Sequence, residues 1–497
     1  MKFYVTTPIY YVNAEPHIGH SYTTIAADAL ARYHRLCGDE VFFLTGTDEH
    51  GQKIAEMAKA RNLTPQALAD EVSSKFRDAW KALDISYSRF IRTTEPAHEA
   101  VVKQVFAALL AKGALYAGEY RGYYCIQCES YVTPGDTDAA PVCPDCGRPV
   151  KEISEPSYFF KLSEYSGRLR KYIVEHPGFV KPDFRYNEVL NFIDRGLHDL
   201  SVTRKNIAWG VASPTPEGYP IYVWFDALVN YLTGVGYLQD EASFSKLWPP
   251  NVQLIAKDII KFHHIVWPSV LLALDLPLPE TIFAHGYWTM GQDKMSKSKG
   301  NIVSPLDLAA DYGVSAVRYF VLREVPFGLD GEYSSENFKK RYNSDLANDL
   351  GNLVNRTLNL VEKKCGNLIP DGVLDETIAA LAEEVFAAYD GKMRALSFSE
   401  AIEAAWRMVT RLNKYIDEKA PWRLEGKAVA DVLYTVVEGI RVAALFLTPF
   451  IPATARDIWA MLGLTDNPSE LSFGARNQRL QPGRNLGART ILFPRRT

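Results

Sequence analysis

The alternation of short apolar runs with helical patterns near the amino terminus constrains the fold more than any other feature of this sequence. Residues 3–7 are rich in β-forming side chains, and residues 41–44 are an apolar run without alternation, as in a strand buried on both faces. Between them, residues 21–36 carry apolar side chains at helical spacing. Repeated strand–loop–helix units predict an α/β fold with a doubly wound parallel sheet. Ligands bind beyond the carboxyl ends of such strands, so the loops at residues 8–16 and 45–51 are expected to line a site.

Changes in composition and in secondary-structure pattern divide the 497 residues into five predicted parts. A chain of this length is expected to form about three domains, and two of the five parts are halves of one domain. Residues 1–112 and 221–334 are the two halves of the α/β domain. Residues 113–220, which include a segment rich in Cys, Pro, Gly and Asp, are an insertion between them. Residues 335–470 contain no strand pattern, and their helical periodicity predicts a bundle of about four or five helices. Residues 471–497 are a tail with six Arg and no acidic residue.

Two details of the predicted bundle can be tested directly. Apolar residues from Phe338 to Leu360 mark one face of a single long helix. Ser397 with Glu400 is a capping-box candidate that opens another helix.

Composition excludes several classes of protein. The formal net charge is −4, so a contact with nucleic acid requires a local basic patch. Hydrophobic residues make up 47% of the chain, which excludes a disordered protein. No apolar stretch approaches the roughly 20 residues of a membrane span, and a strand pattern begins at residue 2 without a leader. A cytoplasmic protein is expected.

The first chemical motif is His17-Ile18-Gly19-His20, where the loop after the first strand meets its helix. A helix amino terminus presents free N–H groups and attracts anions. Two imidazoles there could bind phosphate oxygens, and Gly19 leaves room for a flat base. The alternative is a pair of surface histidines.

The second motif runs from Lys294 to Asn301 and holds three lysines, Lys294, Lys297 and Lys299. Mobile ammonium groups suit a polyphosphate during a reaction. The alternative is a solvated basic loop.

The third motif is Cys125-x2-Cys128 followed by Cys143-x2-Cys146. Two such pairs predict a tetrahedral Zn²⁺ site, and four protein ligands make it structural. The alternatives are free thiols or a redox pair.

The histidine and lysine motifs resemble the two signatures of class I aminoacyl-tRNA synthetases. Several further segments resemble the methionyl-tRNA synthetase family in particular. These segments are residues 7–13, 45–51, 222–227 and 257–259, together with Phe262, His263 and Trp267. The resemblance implies a Rossmann-like catalytic domain with a zinc-knuckle insertion, followed by a helical anticodon-binding domain. The sequence departs from the family pattern at Ala256, where the resemblance leads us to expect Gly.

The resemblance implies a methionine–tRNA ligase that activates L-methionine with ATP and Mg²⁺ and transfers it to tRNA(Met). His17, Gly19, His20 and Asp258 would bind ATP. Lys294 and Lys297 would also bind ATP and would stabilise the departing pyrophosphate. The catalytic residues would then be His17, His20, Lys294 and Lys297.

The resemblance also implies a methionine pocket with one anion and an apolar, aromatic lining. Asp48 would pair with the substrate ammonium group. The remaining pocket residues would be Ile9, Tyr11, Trp224, Leu228, Tyr231, Phe262, His263 and Trp267. Without the resemblance, the aromatic residues would read as ordinary core and Asp48 as a solvated turn residue.

Asn352, Arg356 and Trp422 would read the CAU anticodon by the same resemblance. Asn352 and Arg356 are four residues apart, so they share one helix face. The alternative is a solvated helix face. The Arg-rich tail could contact phosphate, fold back on the catalytic domain as the resemblance implies, or stay solvated, and a monomer is expected.

Three rival functions remain at this stage. Leucine and valine enzymes of class I need an editing insertion for which this chain lacks residues, and a cysteine enzyme would place zinc in the amino-acid pocket. A small-molecule adenylating ligase would not need a helical bundle carrying Trp422. A non-catalytic zinc protein that binds RNA would usually have lost one of the signatures.

Overall fold

The structure is a computed structural model that describes residues 1–132, 142–143, 146–291, 293–294 and 303–496. Its strands are β1 (Lys2–Tyr11), β2 (Glu40–Asp48), β3 (Arg89–Arg92), β4 (Leu115–Cys125), β5 (Ser130–Val132), β6 (Lys151–Phe160), β7 (Val180–Lys181), β8 (Leu200–Ser201), β9 (Val252–Ala256), β10 (Thr281–His285), β11 (Trp288–Met290), β12 (Asp293–Lys294) and β13 (Gly331–Glu332).

The α-helices are α1 (Ile18–Leu36), α2 (Gln52–Ala60), α3 (Pro65–Ala82), α4 (Pro96–Ala111), α5 (Leu162–Glu175), α6 (Tyr186–Asp194), α7 (Val223–Leu228), α8 (Asn230–Thr233), α9 (Glu241–Leu247), α10 (Trp267–Ala273), α11 (Pro305–Tyr312), α12 (Val314–Arg323), α13 (Ser335–Arg341), α14 (Asn352–Cys365), α15 (Glu376–Arg394), α16 (Phe398–Lys419), α17 (Gly426–Leu447) and α18 (Pro452–Met461). Two segments, Phe262–Val266 and Tyr342–Gly351, are π-helical.

The central sheet is parallel and has the strand order β3-β2-β1-β9-β10-β7. Strands β2 and β3 follow β1 on one side of the sheet, and β9 and β10 are then added on the other side of β1. The direction in which strands are added therefore reverses between β1 and β9. A crevice at such a reversal, beyond the carboxyl ends of the strands, is the usual ligand site of these sheets. The predicted doubly wound α/β fold is confirmed.

The first strand is longer than predicted. It runs to Tyr11, whereas residues 8–16 were expected to be a loop. The register against β2 shifts between Thr6 and Ile9, so the strand bulges at Pro8. Proline has no N–H to donate to a ladder, and a bulge accommodates it.

The segment between the two halves of the sheet forms its own antiparallel sheet, in the order β5-β4-β6-β8. The four predicted metal-ligating cysteines lie at or near the β4–β5 end of this sheet. One strand from the same segment, β7, pairs with β10 and so extends the central sheet.

The carboxyl-terminal part is helical, as predicted, but its first helix is not uniform. Phe338, Tyr342, Leu346 and Leu350 recur every four residues, and all are buried. A spacing of four exceeds the 3.6 residues of an α-helical turn, so these positions would drift around a pure α-helix. The wider π-turns of residues 342–351 offset that drift.

The capping-box prediction at Ser397 is wrong. Ser397 does precede α16, but its side chain makes no capping hydrogen bond. The carboxylate of Glu400 accepts a hydrogen bond from Lys392 instead. The partner that a capping box needs is therefore engaged with another helix.

The Arg-rich tail folds back over the helices. Arg476 forms an ion pair with Glu383 at 3.0 Å, and Arg489 forms one with Glu362 at 2.5 Å. Phe493 is buried, so the alternative of a solvated tail is wrong. Among helices in the described ranges, none combines the length and the apolar character that a membrane crossing requires.

Candidate active site

Two adjoining cavities open at the reversal point of the central sheet, with volumes of about 260 and 250 Å³. They share a wall formed by Pro8, Ile9, Tyr11, Asp258 and Ile259. Ligands of two kinds could therefore meet across this wall.

The second cavity is lined by His17, Gly19, His20 and Asp258, the residues for which a role in ATP binding remains a prediction. His17 caps α1, because its Nδ1 accepts a hydrogen bond from the Gly19 N–H at 3.1 Å. The His17 and His20 rings stack with their centroids 3.7 Å apart. A methyl group on Gly19 would lie 3.0 Å from the His17 ring, so glycine keeps this helix entry compact.

The lysine motif falls largely outside the described residues. Lys294 lies on β12, whose backbone pairs with β11 next to the second cavity, and its side chain is not described. Lys297 lies wholly outside the described ranges.

The first cavity contains a carboxylate, that of Asp48, with one oxygen that has no hydrogen-bond partner among the described residues. Asp48 Oδ1 is buried and accepts no hydrogen bond from any described residue. Burial, together with the nearby carboxylates of Asp226, Glu129 and Glu49, holds the pKa of Asp48 well above its usual range. A buried acid in this condition favours a cationic ligand.

The rest of this cavity is largely apolar and aromatic. Ile9, Tyr11, Trp224, Leu228, Tyr231 and His263 line it, as predicted. Tyr231 donates its O–H to His263 Nε2 at 2.8 Å, while His263 Nδ1 lies 3.1 Å from the Ile259 carbonyl oxygen. Burial lowers the pKa of His263 to about 3, so its ring is neutral and adds no charge to the cavity.

Two predicted pocket residues lie behind the lining. The Phe262 ring stacks on Trp224 with centroids 3.9 Å apart and planes 2° apart. Trp267 is fully buried, with its ring 5.7 Å from that of Tyr231. Both support wall residues and do not face the cavity itself.

The four cysteines converge as predicted. Their sulfur atoms all lie within 4.8 Å of one another. The separations of 3.6 Å for Cys125 and Cys146 and 3.9 Å for Cys143 and Cys128 are close to the edge of a tetrahedron with metal–sulfur bonds of about 2.3 Å. This set of thiols could hold a metal ion.

Comparisons with known proteins identify the family. A family model described as "tRNA synthetases class I (M)" matches residues 3–152 and 139–358, and one described as "Anticodon binding domain of methionyl tRNA ligase" matches residues 370–497. The chain belongs to the methionyl-tRNA synthetase family. The methionine–tRNA ligase of Caldanaerobacter subterraneus subsp. tengcongensis is 46% identical over 99% of this chain and 78% of its own length. That of Bacillus subtilis is 45% identical over 93% of this chain and 73% of its own length.

Solved structures agree with this assignment. The Mycobacterium tuberculosis methionyl-tRNA synthetase in complex with methionyl-adenylate matches with a TM-score of 0.95 at 41% identity, covering 99% of this chain and 100% of that chain. The activity of this synthetase is therefore the ATP-dependent ligation of methionine to tRNA. The family resemblance drawn from the sequence is confirmed.

The structure brings two of the three predicted anticodon residues of the synthetase into contact. The Arg356 guanidinium lies over the Trp422 ring at 5.1 Å and also donates to Asp417 Oδ1 at 2.7 Å. Trp422 is 42% exposed. Asn352 is exposed at the start of α14, one turn before Arg356 on the same face.

Sequence reasoning missed a buried polar layer behind the amino-acid cavity. His50 Nδ1 lies 2.7 Å from one carboxylate oxygen of Asp226, and His98 Nε2 lies 2.9 Å from the other. Burial alone would raise the pKa of Asp226, but these two imidazoles lower it to about 2. Because Asp226 lies on α7, which also carries Trp224, its contact with His50 ties a cavity wall to the end of β2, where Asp48 lies. A charged residue inside an apolar helix was the available signal.

A second missed residue is Glu129, which follows a cysteine ligand directly. Its buried carboxylate accepts hydrogen bonds from the Tyr11 hydroxyl and, at 2.9 Å, from the Lys53 backbone N–H. Its backbone is left-handed, with φ of 48°. No local sequence pattern signals this contact, because its partners are far away in the chain.

Proposed function

We propose that the two adjoining cavities of this synthetase bind L-methionine and ATP, and that methionyl-adenylate forms where they meet. The methionine carboxylate attacks the α-phosphorus in line: a carboxylate oxygen–phosphorus bond forms and the bond to pyrophosphate breaks. The protein contributes mainly positioning and charge stabilisation to such a step. The observation that carries the proposal is the buried Asp48 carboxylate, whose Oδ1 has no hydrogen-bond partner among the described residues, beside a second cavity that begins at a helix amino terminus.

Asp48 pairs with the substrate ammonium group in this proposal. An ammonium group supplies the hydrogen bond that Asp48 Oδ1 lacks and favours the ionised carboxylate. The thioether lies among Leu228, Tyr231 and the stacked Trp224, with Ile9, Tyr11 and His263 completing the wall. Contacts of sulfur with aromatic rings contribute about 0.3–1.5 kcal/mol each. Phe262 and Trp267 act by holding the wall in place.

ATP occupies the second cavity in this proposal. His17, His20 and the backbone at Gly19 bind phosphate oxygens at the start of α1, and Asp258 contacts the ribose. Lys294 and Lys297 are assigned to the departing pyrophosphate because ammonium groups can follow a moving charge. When bound with ATP, Mg²⁺ neutralises phosphate charge. His17, His20, Lys294 and Lys297 are the proposed catalytic residues.

The four cysteines are proposed to hold one structural Zn²⁺. Four thiolates at tetrahedral separations match the preference of zinc and leave no position for a substrate. Elemental analysis should find one zinc per chain. Two zinc ions per chain, or none in freshly prepared protein, would contradict this assignment.

The helical part is proposed to bind tRNA(Met) through Asn352, Arg356 and Trp422. Trp422 is exposed enough to stack on an unpaired base, and the two polar side chains can bind base edges. Residues 335–470 are the proposed anticodon-binding domain, and residues 1–112 and 221–334 are the proposed catalytic domain around the insertion at 113–220. A cytoplasmic monomer fits this role.

The proposed function is tested by amino-acid-dependent exchange of pyrophosphate into ATP, measured with each of the twenty amino acids. Methionine alone should support exchange, and adding tRNA(Met) should yield methionyl-tRNA. Exchange that depends on another amino acid, or no exchange with methionine, would contradict the proposal.

A further inference from the structure

Arg318, on α12, occupies the seam between the nucleotide-binding half of the molecule and the helical bundle. Its side chain is fully buried. Guanidinium has five N–H donors in a fixed planar arrangement. All five have an acceptor here, and the acceptors come from three separate segments of the chain.

Three of these hydrogen bonds go to the nucleotide-binding half. Arg318 Nη2 donates to Asp28 Oδ2 on α1 at 2.6 Å. Its Nη1 donates to the carbonyl oxygens of Leu83 and Asp84, after α3, at 3.2 and 3.3 Å. The helix that carries Asp28 is the one that begins at His17.

The other two go to the bundle. Arg318 Nε donates to the Phe450 carbonyl oxygen at 2.8 Å, and Nη2 donates to that of Pro449 at 3.1 Å. Both carbonyls lie in the turn between α17 and α18. One planar group therefore fixes the end of a bundle helix relative to α1.

The hydrophobic core runs continuously across this seam, from α1 to the bundle helices. Apolar contacts are not directional, so they define the angle between the two parts less sharply than hydrogen bonds do. Planar, charge-assisted hydrogen bonds are directional. The angle between the parts therefore depends on polar contacts such as those of Arg318.

We propose that Arg318 is a positioning residue that sets the orientation of the anticodon-binding bundle relative to the catalytic cavities. This inference rests on the proposed function, in which one tRNA contacts both the bundle and the adenylate. A rotation at the seam would displace the acceptor end from the adenylate while leaving both binding sites intact. A displacement of about 1 Å can cost 100-fold in rate.

Adenylate formation does not depend on Arg318 in this account. Asp28 keeps three other donors, because Arg32 Nε donates at 2.7 Å and the Ser86 N–H and O–H donate at 2.7 and 2.6 Å. These contacts hold α1, and with it His17 and His20, in place. The two bundle carbonyls receive no such replacement from Arg318→Lys, because lysine is a point charge with three donors.

The test compares Arg318→Lys with wild type in two assays at a temperature well below melting. Methionine-dependent pyrophosphate exchange should stay within about twofold of wild type. The kcat for aminoacylation of tRNA(Met) should fall about tenfold or more, with the KM for tRNA within threefold because the anticodon contacts remain. Equal loss in both assays, or no loss in aminoacylation, would overturn the proposal.

Arg441→Lys is the matched control. Arg441 is also buried, but its partners are Glu438 and the carbonyl oxygens of residues 475, 476 and 478, all within the carboxyl-terminal part. Arg441→Lys should lower the stability of the protein but change the rates of pyrophosphate exchange and aminoacylation to a similar extent. A selective loss of aminoacylation like that expected for Arg318→Lys would overturn the proposal.

If Arg318→Lys fails to fold, Arg318→Gln is the second variant: it removes the guanidinium while Asp28 keeps its ion pair with Arg32 at 2.7 Å, so no buried carboxylate is left without a partner charge. This variant should also lose aminoacylation activity while keeping pyrophosphate exchange. Equal loss in the two assays would overturn the proposal. A wild-type protein that fails either assay would instead contradict the proposed function, so the two failures are distinguishable.

Discussion

Two buried aspartates in this synthetase have opposite environments. Asp48 faces the amino-acid cavity, one of its oxygens has no protein partner among the described residues, and its pKa is raised by burial and by neighbouring carboxylates. Asp226 lies in the layer behind, where both oxygens contact imidazoles and its pKa is lowered to about 2. In the proposed function, Asp48 uses its Oδ1 to bind a cationic substrate, whereas Asp226, with both oxygens hydrogen-bonded, stabilises the fold. Burial alone does not distinguish a ligand-binding carboxylate from a structural one, but its hydrogen-bond partners do.

The largest expected effect that would test this comparison comes from Asp48→Asn. Loss of a buried ammonium–carboxylate pair costs about 3–5 kcal/mol, which is roughly two to four orders of magnitude in affinity. Methionine-dependent pyrophosphate exchange should fall by at least about 100-fold in kcat/KM. The melting temperature should stay the same or rise, because an unpaired buried acid is removed. If Asp48→Asn keeps its exchange activity but has a lower melting temperature than wild type, Asp48 would be the structural residue and not the ligand-binding one.

Asp226→Asn should produce the opposite balance. Asn carries no charge and can accept from only one of the two imidazoles, so the free energy of unfolding should fall by about 2–4 kcal/mol. Exchange should fall only about tenfold, because the helix of Trp224 and the end of β2, where Asp48 lies, lose their common anchor. Thermal melting and exchange kinetics measure the two effects. Asp226→Asn activity as low as that of Asp48→Asn, without loss of stability, would contradict a structural role.

The stability contributed by Asp226 should depend on pH in a defined window. Its folded pKa of about 2 lies below the usual aspartate pKa of 3.8, so this contribution is complete above about pH 5 and is lost as pH falls toward 2. Denaturant unfolding of wild type and Asp226→Asn between pH 6 and pH 3 should show the two curves converging. A difference that grew toward low pH would contradict the assigned ionisation state.

A smaller effect is expected from Phe262→Ala, which removes the ring stacked behind Trp224. A stacked aromatic pair contributes about 0.5–1.5 kcal/mol beyond the area that it buries. The KM for methionine should rise a few-fold, with kcat little changed. Phe262→Leu is the control that keeps apolar volume without stacking. Loss of exchange as large as in Asp48→Asn would indicate that Phe262 contacts the substrate directly.

Local patterns predicted the parts of the molecule whose chemistry is contained in short segments. His17 and His20 lie one turn apart on a single helix start, and the four cysteines fall in two tight pairs, so spacing alone placed them together. The cavity residues Asp48, Trp224 and Tyr231 come from separate segments, and only the family resemblance grouped them. Phe262 and Trp267 were assigned to the lining but lie behind it, because a resemblance does not say which face a side chain presents.

Long-range polar contacts were not predictable from the sequence. Asp226 acts through His50 and His98, which are 176 and 128 residues away. Arg318 donates to Asp28, which is 290 residues away. No periodicity or spacing encodes such partners, since they are set by the topology of the sheet and the packing of the bundle.

The most direct measurement of the central claim is a calorimetric titration of methionine into wild type, Asp48→Asn and Asp226→Asn at one pH and temperature. The account predicts measurable binding to wild type, weaker but detectable binding to Asp226→Asn, and no detectable binding to Asp48→Asn in a variant that melts at or above the wild-type temperature. Binding of methionine to Asp48→Asn with wild-type affinity would contradict the account, because another group would then receive the ammonium.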